Sequence, residues 1–161
     1  MALRLTRSAL VQVLASVAPT FQDWQRGNWP LTTDASVIGP NANPDGDQLS
    51  NLLEYALGAD PNVPADDALP QVSLSLVNGE HYLALAFLRR TDDASLAYEV
   101  IASDDVTTAD ENWSVQAAVE SISQVDVPAG FERRKVRDDR AVESGPVRRF
   151  LKLRVSQTTE P

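Results

Sequence analysis

The oxygen-bearing side chains of residues 43 to 54, Asn43-Pro44-Asp45-Gly46-Asp47-Gln48-Leu49-Ser50-Asn51-Leu52-Leu53-Glu54, recur at every second position and end in a carboxylate. Hard divalent cations such as Ca²⁺ take several oxygens at close range. In an EF-hand-type loop, positions one, three and five give side-chain oxygens, position seven a backbone carbonyl, and position twelve a Glu that binds through both oxygens. Those positions here are Asn43, Asp45, Asp47, Leu49 and Glu54. Two residues depart from the pattern. Position one is Asn rather than Asp. Position six, where Gly normally reaches positive φ, is Gln48, at a cost of about 1 kcal/mol or more if that conformation is kept. With three carboxylates and no Gly at position six, the spacing predicts affinity in the weak class of extracellular sites, about 10⁻⁴ to 10⁻³ M.

Asn, Asp, Gly and Pro also build ordinary turns, and Ser50 is placed to N-cap a short helix over residues 51–57. A plain turn does not require Glu54 at the twelfth position. Leu52, Leu53, Tyr55, Ala56 and Leu57 have helical spacing and Gly58 supplies a stop. Upstream, Phe21 and Trp24 lie one helical turn apart and predict a short helix that buries both rings.

The chain of 161 residues, 43% apolar, is long enough for one domain with its own core. Its net charge of −9 is uneven: residues 1–130 carry 5 basic and 18 acidic side chains, residues 131–155 carry 9 and 4. The acidic front suits cation binding and repels phosphate, so the expectation is no nucleic-acid partner. No cysteine is present, which excludes disulfides and thiolate metal sites. No run is long enough to span a membrane. At the N-terminus, Arg4 and Arg7 precede an apolar run broken by Gln12 and Ser16, a poor signal peptide. Leu10, Val13, Leu14 and Val17 equally fit an amphipathic helix.

Residues 61–70, with three prolines, read as a linker between a helical segment (1–60) and a strand-rich region (71–155), with 156–161 as a tail. After Pro70 the period becomes two. Val72, Leu74 and Leu76 alternate with Ser73 and Ser75, Asn78-Gly79 marks a tight hairpin, and Leu83, Leu85 and Phe87 alternate on the return. Further strands are predicted over 96–102, 113–119, 122–127, 132–137 and 148–155, the last with Leu151, Leu153 and Val155 inward and Lys152 and Arg154 outward. Six or seven strands without intervening helices predict a mainly β fold: an antiparallel β-sandwich preceded by a short helical segment with one EF-hand-like loop.

The run from Phe21 to Pro61, with Phe21-Gln22-Asp23-Trp24 and then NANPDGDQLSNLLEYALGADP, resembles a module near the C-terminal ends of large secreted or surface bacterial proteins, whose core reads DPDGDGLSNLLEYALG. The likeness continues through HYLALAFLRRTDDASLAYEVIASDD, Trp113 and RRFLKLRV, and so covers residues 21–155. The loop portion is also similar to dockerin and thrombospondin type 3 calcium repeats. Asp45, Asp47, Asn51 and Glu54 match the family's acidic and polar positions, and Asn41, Asn43 and Gln48 depart from its Asp, Asp and Gly. The resemblance implies an extracellular or cell-surface, non-catalytic appendage holding one Ca²⁺, with Asn51 added to the ligand set.

Other function classes find less support. The single histidine, His81, begins a strand just past a turn, where an exposed structural role is expected. Asp66/Asp67, Asp92/Asp93 and Asp104/Asp105 fall in turn-like segments and read as solvated turns, so no enzyme is expected. A glycan-binding sandwich would stack sugars on Tyr82, Tyr98, Trp113 or Phe131. A metal-free interaction domain would use the basic strip Arg133, Arg134, Lys135, Arg137, Arg148, Arg149, Lys152 and Arg154, either on an acidic partner or on the chain's own acidic half. The partner, protein or glycan, is not specified by the sequence.

Overall fold

The computed structural model describes residues 20–64, 67–144 and 148–158. The signal-peptide or amphipathic-helix reading of the N-terminus lies outside them. Helix α1, Phe21–Asn28, starts at a capping box in which Thr20 accepts from the Asp23 amide and Asp23 accepts from the Thr20 amide. Phe21 is buried and stacks on Trp24 with ring centroids 5.6 Å apart. One turn, α2 (Ala35–Ile38), is capped by Asp34. Helix α3, Asn51–Leu57, has Ser50 in the N-cap conformation, although the Ser50 hydroxyl makes no cap bond. It ends at Gly58 with φ 83°, and a Cβ there would lie 3.0 Å from the Phe131 ring.

Among the described residues, seven strands follow in two antiparallel sheets. The larger, in the order β1-β2-β6-β5, comprises β1 Gln71–Val77, β2 Glu80–Arg90, β6 Phe131–Ala141 and β5 Ala118–Glu120. The smaller, β4-β3-β7, comprises β4 Ser114–Gln116, β3 Leu96–Ser103 and β7 Phe150–Gln157. Asn78 (φ 53°) and Gly79 (φ 88°) both adopt the positive φ that a two-residue hairpin needs, and Val77 pairs with Glu80.

Leu85 and Phe87 of β2, Val136 of β6 and Val100 of β3 meet between the sheets, with Leu151 and Leu153 of β7 against them. Leu49 and Leu57 belong to the same cluster, so the helical segment and the sandwich share one core. The connection between them takes part as well: Pro61 is fully buried, and Ala68 and Leu69 pack on that cluster. A second cluster joins Phe21, Tyr55, Ala56 and Leu96.

Two strand expectations need correction. No strand forms over 122–127. The Gln124 side-chain amide occupies the place of a neighbouring strand, accepting from the Arg133 amide at 2.8 Å and donating to its carbonyl at 2.7 Å. Asp126, at φ 60°, then turns the chain away. The 113–119 run is two strands, one in each sheet, and the chain changes sheet at Ala117. Gln116 stitches that corner, accepting from the Asp139 amide at 2.8 Å. On β1, Val72, Leu74 and Leu76 lie exposed.

The larger sheet coils strongly. Four flat strands would hold β1 and β5 about 14 Å apart, yet Ser75 of β1 donates to Glu120 of β5 at 2.6 Å.

Candidate metal centre

The 43–54 loop folds through its own side chains. Asn43 is exposed and its amide closes the loop, accepting from the Gly46 amide at 2.8 Å and donating to the Asp47 carbonyl at 2.7 Å. Asp47 accepts from the Leu49 amide at 2.6 Å, and the Leu49 side chain is buried in the core. The left-handed turn falls on Gly46, with φ 77°, and not at position six. Gln48 is absent from the residues with positive φ and carries none of the strain expected there.

This folding brings Asp45, Asp47 and Glu54 together, with one carboxylate oxygen from each within 4.8 Å of the others. Glu54 is completely buried, and neither of its carboxylate oxygens has a hydrogen-bond partner. Asp45 Oδ2 is likewise buried and unpartnered. Asn51, three residues before Glu54 on the same helical face, is also 0% exposed. Its Nδ2 donates to the carbonyls of Val37 (2.8 Å) and Gly39 (2.9 Å), which fixes the amide and leaves Oδ1 buried without a donor. Four buried oxygens in one short stretch therefore lack the partner that buried polar atoms nearly always have.

Electrostatics tell the same story. Burial, and then the charges of Asp45, Asp47 and Asp60, push the Glu54 carboxyl up from 4.5 to about 7. A cation among these oxygens would reverse that penalty, and the donor set fits a hard ion because it contains only oxygen. The sequence pattern missed Asp60, whose charge acts on Glu54 from beyond the loop. It also missed the Val37 and Gly39 carbonyls that orient Asn51, since both lie before the loop begins.

The elements holding this cluster are anchored both from the preceding chain and from the sandwich. The Asn51 and Leu52 amides donate to the carbonyls of Ala42 and Pro40. At the other end of α3, Arg90 Nε donates to the Tyr55 carbonyl at 2.9 Å, its guanidinium lying between the rings of Tyr55 and Phe131. The Tyr98 hydroxyl donates to the Ala56 carbonyl at 2.9 Å and accepts from the Arg90 amide at 3.1 Å.

Asp66 lies outside the described residues, and most of the other residues singled out in the sequence are engaged elsewhere. His81 Nδ1 sits 2.7 Å from Glu143 on the surface. Asp92 meets Arg90, Asp93 accepts from Tyr55 and Ser95, and Asp105 accepts from Thr107. Among the rings weighed for glycan stacking, Trp113 is buried, Tyr98 stacks on Phe87, and Tyr82 and Phe131 each lie under an arginine. Much of the basic strip meets the chain's own carboxylates. Arg134 faces Glu132, Lys135 and Arg137 face Glu120, Arg149 faces Asp104 and Asp138, Lys152 faces Asp110, and Arg154 faces Glu99. No described helix is long and apolar enough to cross a membrane. Comparison with protein-family profiles, curated proteins and solved structures finds no match to the chain.

Proposed function

We propose that this chain is a non-catalytic attachment or interaction module braced by one Ca²⁺ ion, held by Asp45, Asp47, Asn51 and Glu54, with Asn43 and the Leu49 carbonyl completing the loop's donors. The observation that carries this reading is the pair of bare, buried oxygens on Glu54, beside the bare oxygens of Asp45 and Asn51. Calcium is favoured over magnesium because it accepts a two-oxygen carboxylate and an irregular, crowded oxygen shell, whereas magnesium demands a near-octahedral one and keeps its waters. The ion's work is mechanical. It neutralises the carboxylates facing Glu54 and fastens the loop to the helix that helps fill the sandwich core. A site in the weak class fills only where calcium is abundant, which accords with an extracellular or cell-surface setting.

Thermal unfolding in calcium, in magnesium and in chelator tests the proposal. At a calcium concentration tenfold above the dissociation constant, linkage predicts about 1.4 kcal/mol of stabilisation for the parent. Asp47→Ala and Glu54→Ala should lose that response. A parent whose melting temperature is the same in calcium and in chelator would end the calcium reading.

A further inference from the structure

Among the described residues, strand β1 is an outer strand whose only strand neighbour is β2, so one row of its backbone N–H and C=O groups faces away from that neighbour. Sheet edges are ordinarily blunted by charge, proline, a bulge or brevity. Gln71–Val77 itself carries none of these; the Glu120 carboxylate that accepts from Ser75 lies on the sheet face opposite Leu74. Residues 70–79 carry no charged side chain, and pairing with β2 runs unbroken from Gln71 to Val77. The opposite edge, β5, has only three residues and ends on Glu120.

The apolar residues of β1 are also turned outward, with Val72, Leu74 and Leu76 exposed by 67%, 58% and 65%. They share a sheet face with Leu85, Leu83 and His81, their opposites on β2. Leu85 is core, so the strip continues the buried face beyond the sheet's covered part.

We infer that β1 is a self-association edge, on which a second copy of this chain pairs antiparallel through its own β1 about a two-fold axis at Leu74. Self-complementarity selects this occupant. The order Val72-Ser73-Leu74-Ser75-Leu76 reads nearly alike in both directions, so pairing about Leu74 sets Val72 against Leu76, Ser73 against Ser75 and Leu74 against itself. An isologous contact needs that property. Charge points the same way, because two chains of net charge −9 repel least where they meet through an uncharged segment. The result is one continuous eight-stranded sheet with an unbroken apolar strip across the junction. The shared edge is short, about 24 Å. It buries less than the roughly 1,200 Å² of a stable interface, so the dimer is a weak, concentration-dependent one, independent of the metal site.

Sedimentation of the whole chain from about 5 to about 500 µM, in calcium and in chelator, reads the association. The expected result is a rise from 17.5 kDa toward twice that mass in both buffers. Leu74→Lys places like charges against each other at the axis and should shift the dissociation constant at least about tenfold. Val119→Lys, on the opposite edge, should leave it unchanged. Amide exchange on the parent needs no variant, and protection of residues 71–77 should rise with concentration. A chain that stays monomeric throughout overturns the inference. So does a dimer that Leu74→Lys leaves intact, or one that forms without added protection at 71–77.

Discussion

Glu54→Gln separates the cost of the buried carboxylate from its use. In the metal-free protein the Glu54 carboxyl stands at about 7 in place of its ordinary 4.5. Between those values the folded state binds more protons than the unfolded one, so stability is greatest below 4.5 and falls as pH rises through 7. At about 1.4 kcal/mol per unit, the loss is on the order of 3 kcal/mol, or roughly 6 to 12 °C in melting temperature for a chain this size. Gln keeps the side-chain volume, carries no charge, and can donate to the carboxylates around it. In excess chelator at pH 8, Glu54→Gln should therefore melt above the parent, and the gap should close as pH is lowered to 4.5. In millimolar calcium the order should reverse, since only the parent can use both oxygens on the ion. Differential scanning calorimetry across this pH range, with and without calcium, measures both arms. A variant that melts below the parent in chelator at pH 8 would show that Glu54 is not an uncompensated buried charge, and the reasoning from its bare oxygens would fail.

Other perturbations test the framework around the site. Arg149 grips the buried Asp138 carboxylate with bonds of 2.6 and 2.8 Å, so Arg149→Met should cost about 3 to 5 kcal/mol in denaturant unfolding, and adding Asp138→Leu should recover much of it. Burial raises the Asp138 carboxyl, but the bonds from Arg149 and Arg140 outweigh it and hold the group below 3.8. The stability from that pair should be present above 3.8 and lost as acid titration passes below it, a loss that Arg149→Met should lack. Tyr98→Phe removes the hydroxyl between the Ala56 carbonyl and the Arg90 amide, and should cost about 1 to 2 kcal/mol. Gly58→Ala, at positive φ against the Phe131 ring, should cost about 1 kcal/mol or more by the same measurement.

The elements legible in the sequence were those whose determinants are local. Asn78-Gly79 specifies its turn by backbone freedom alone, and α3 follows from helical spacing closed by Gly58. The loop carboxylates came together because alternate residues of a tight turn face one way. Determinants that act across the fold were not legible. Val72, Leu74 and Leu76 have the alternation of a buried strand, but position in the sheet decides burial, and β1 lies beyond the covered part. The run 122–127 has strand-like composition, yet one glutamine side chain satisfies the backbone that a strand would have paired. The carbonyls that orient the Asn51 amide and the charge that Asp60 adds at Glu54 likewise depend on where remote groups arrive. Gln48 shows a positional rule misapplied, because the left-handed conformation moved to Gly46.

The common core of Leu49, Leu57, Leu85, Phe87, Val100 and Val136 bears on how this fold can be cut and moved. Severing the chain near residue 61 would strip two leucines from the interior and leave an open cavity in the remaining strands. Grafts onto another protein should therefore carry the helices α1 to α3 together with the strands. Limited proteolysis should release the whole assembly as one resistant fragment rather than two. A load applied through the helices would pass directly into the sheets, so pulling experiments should register one rupture event instead of a stepwise detachment.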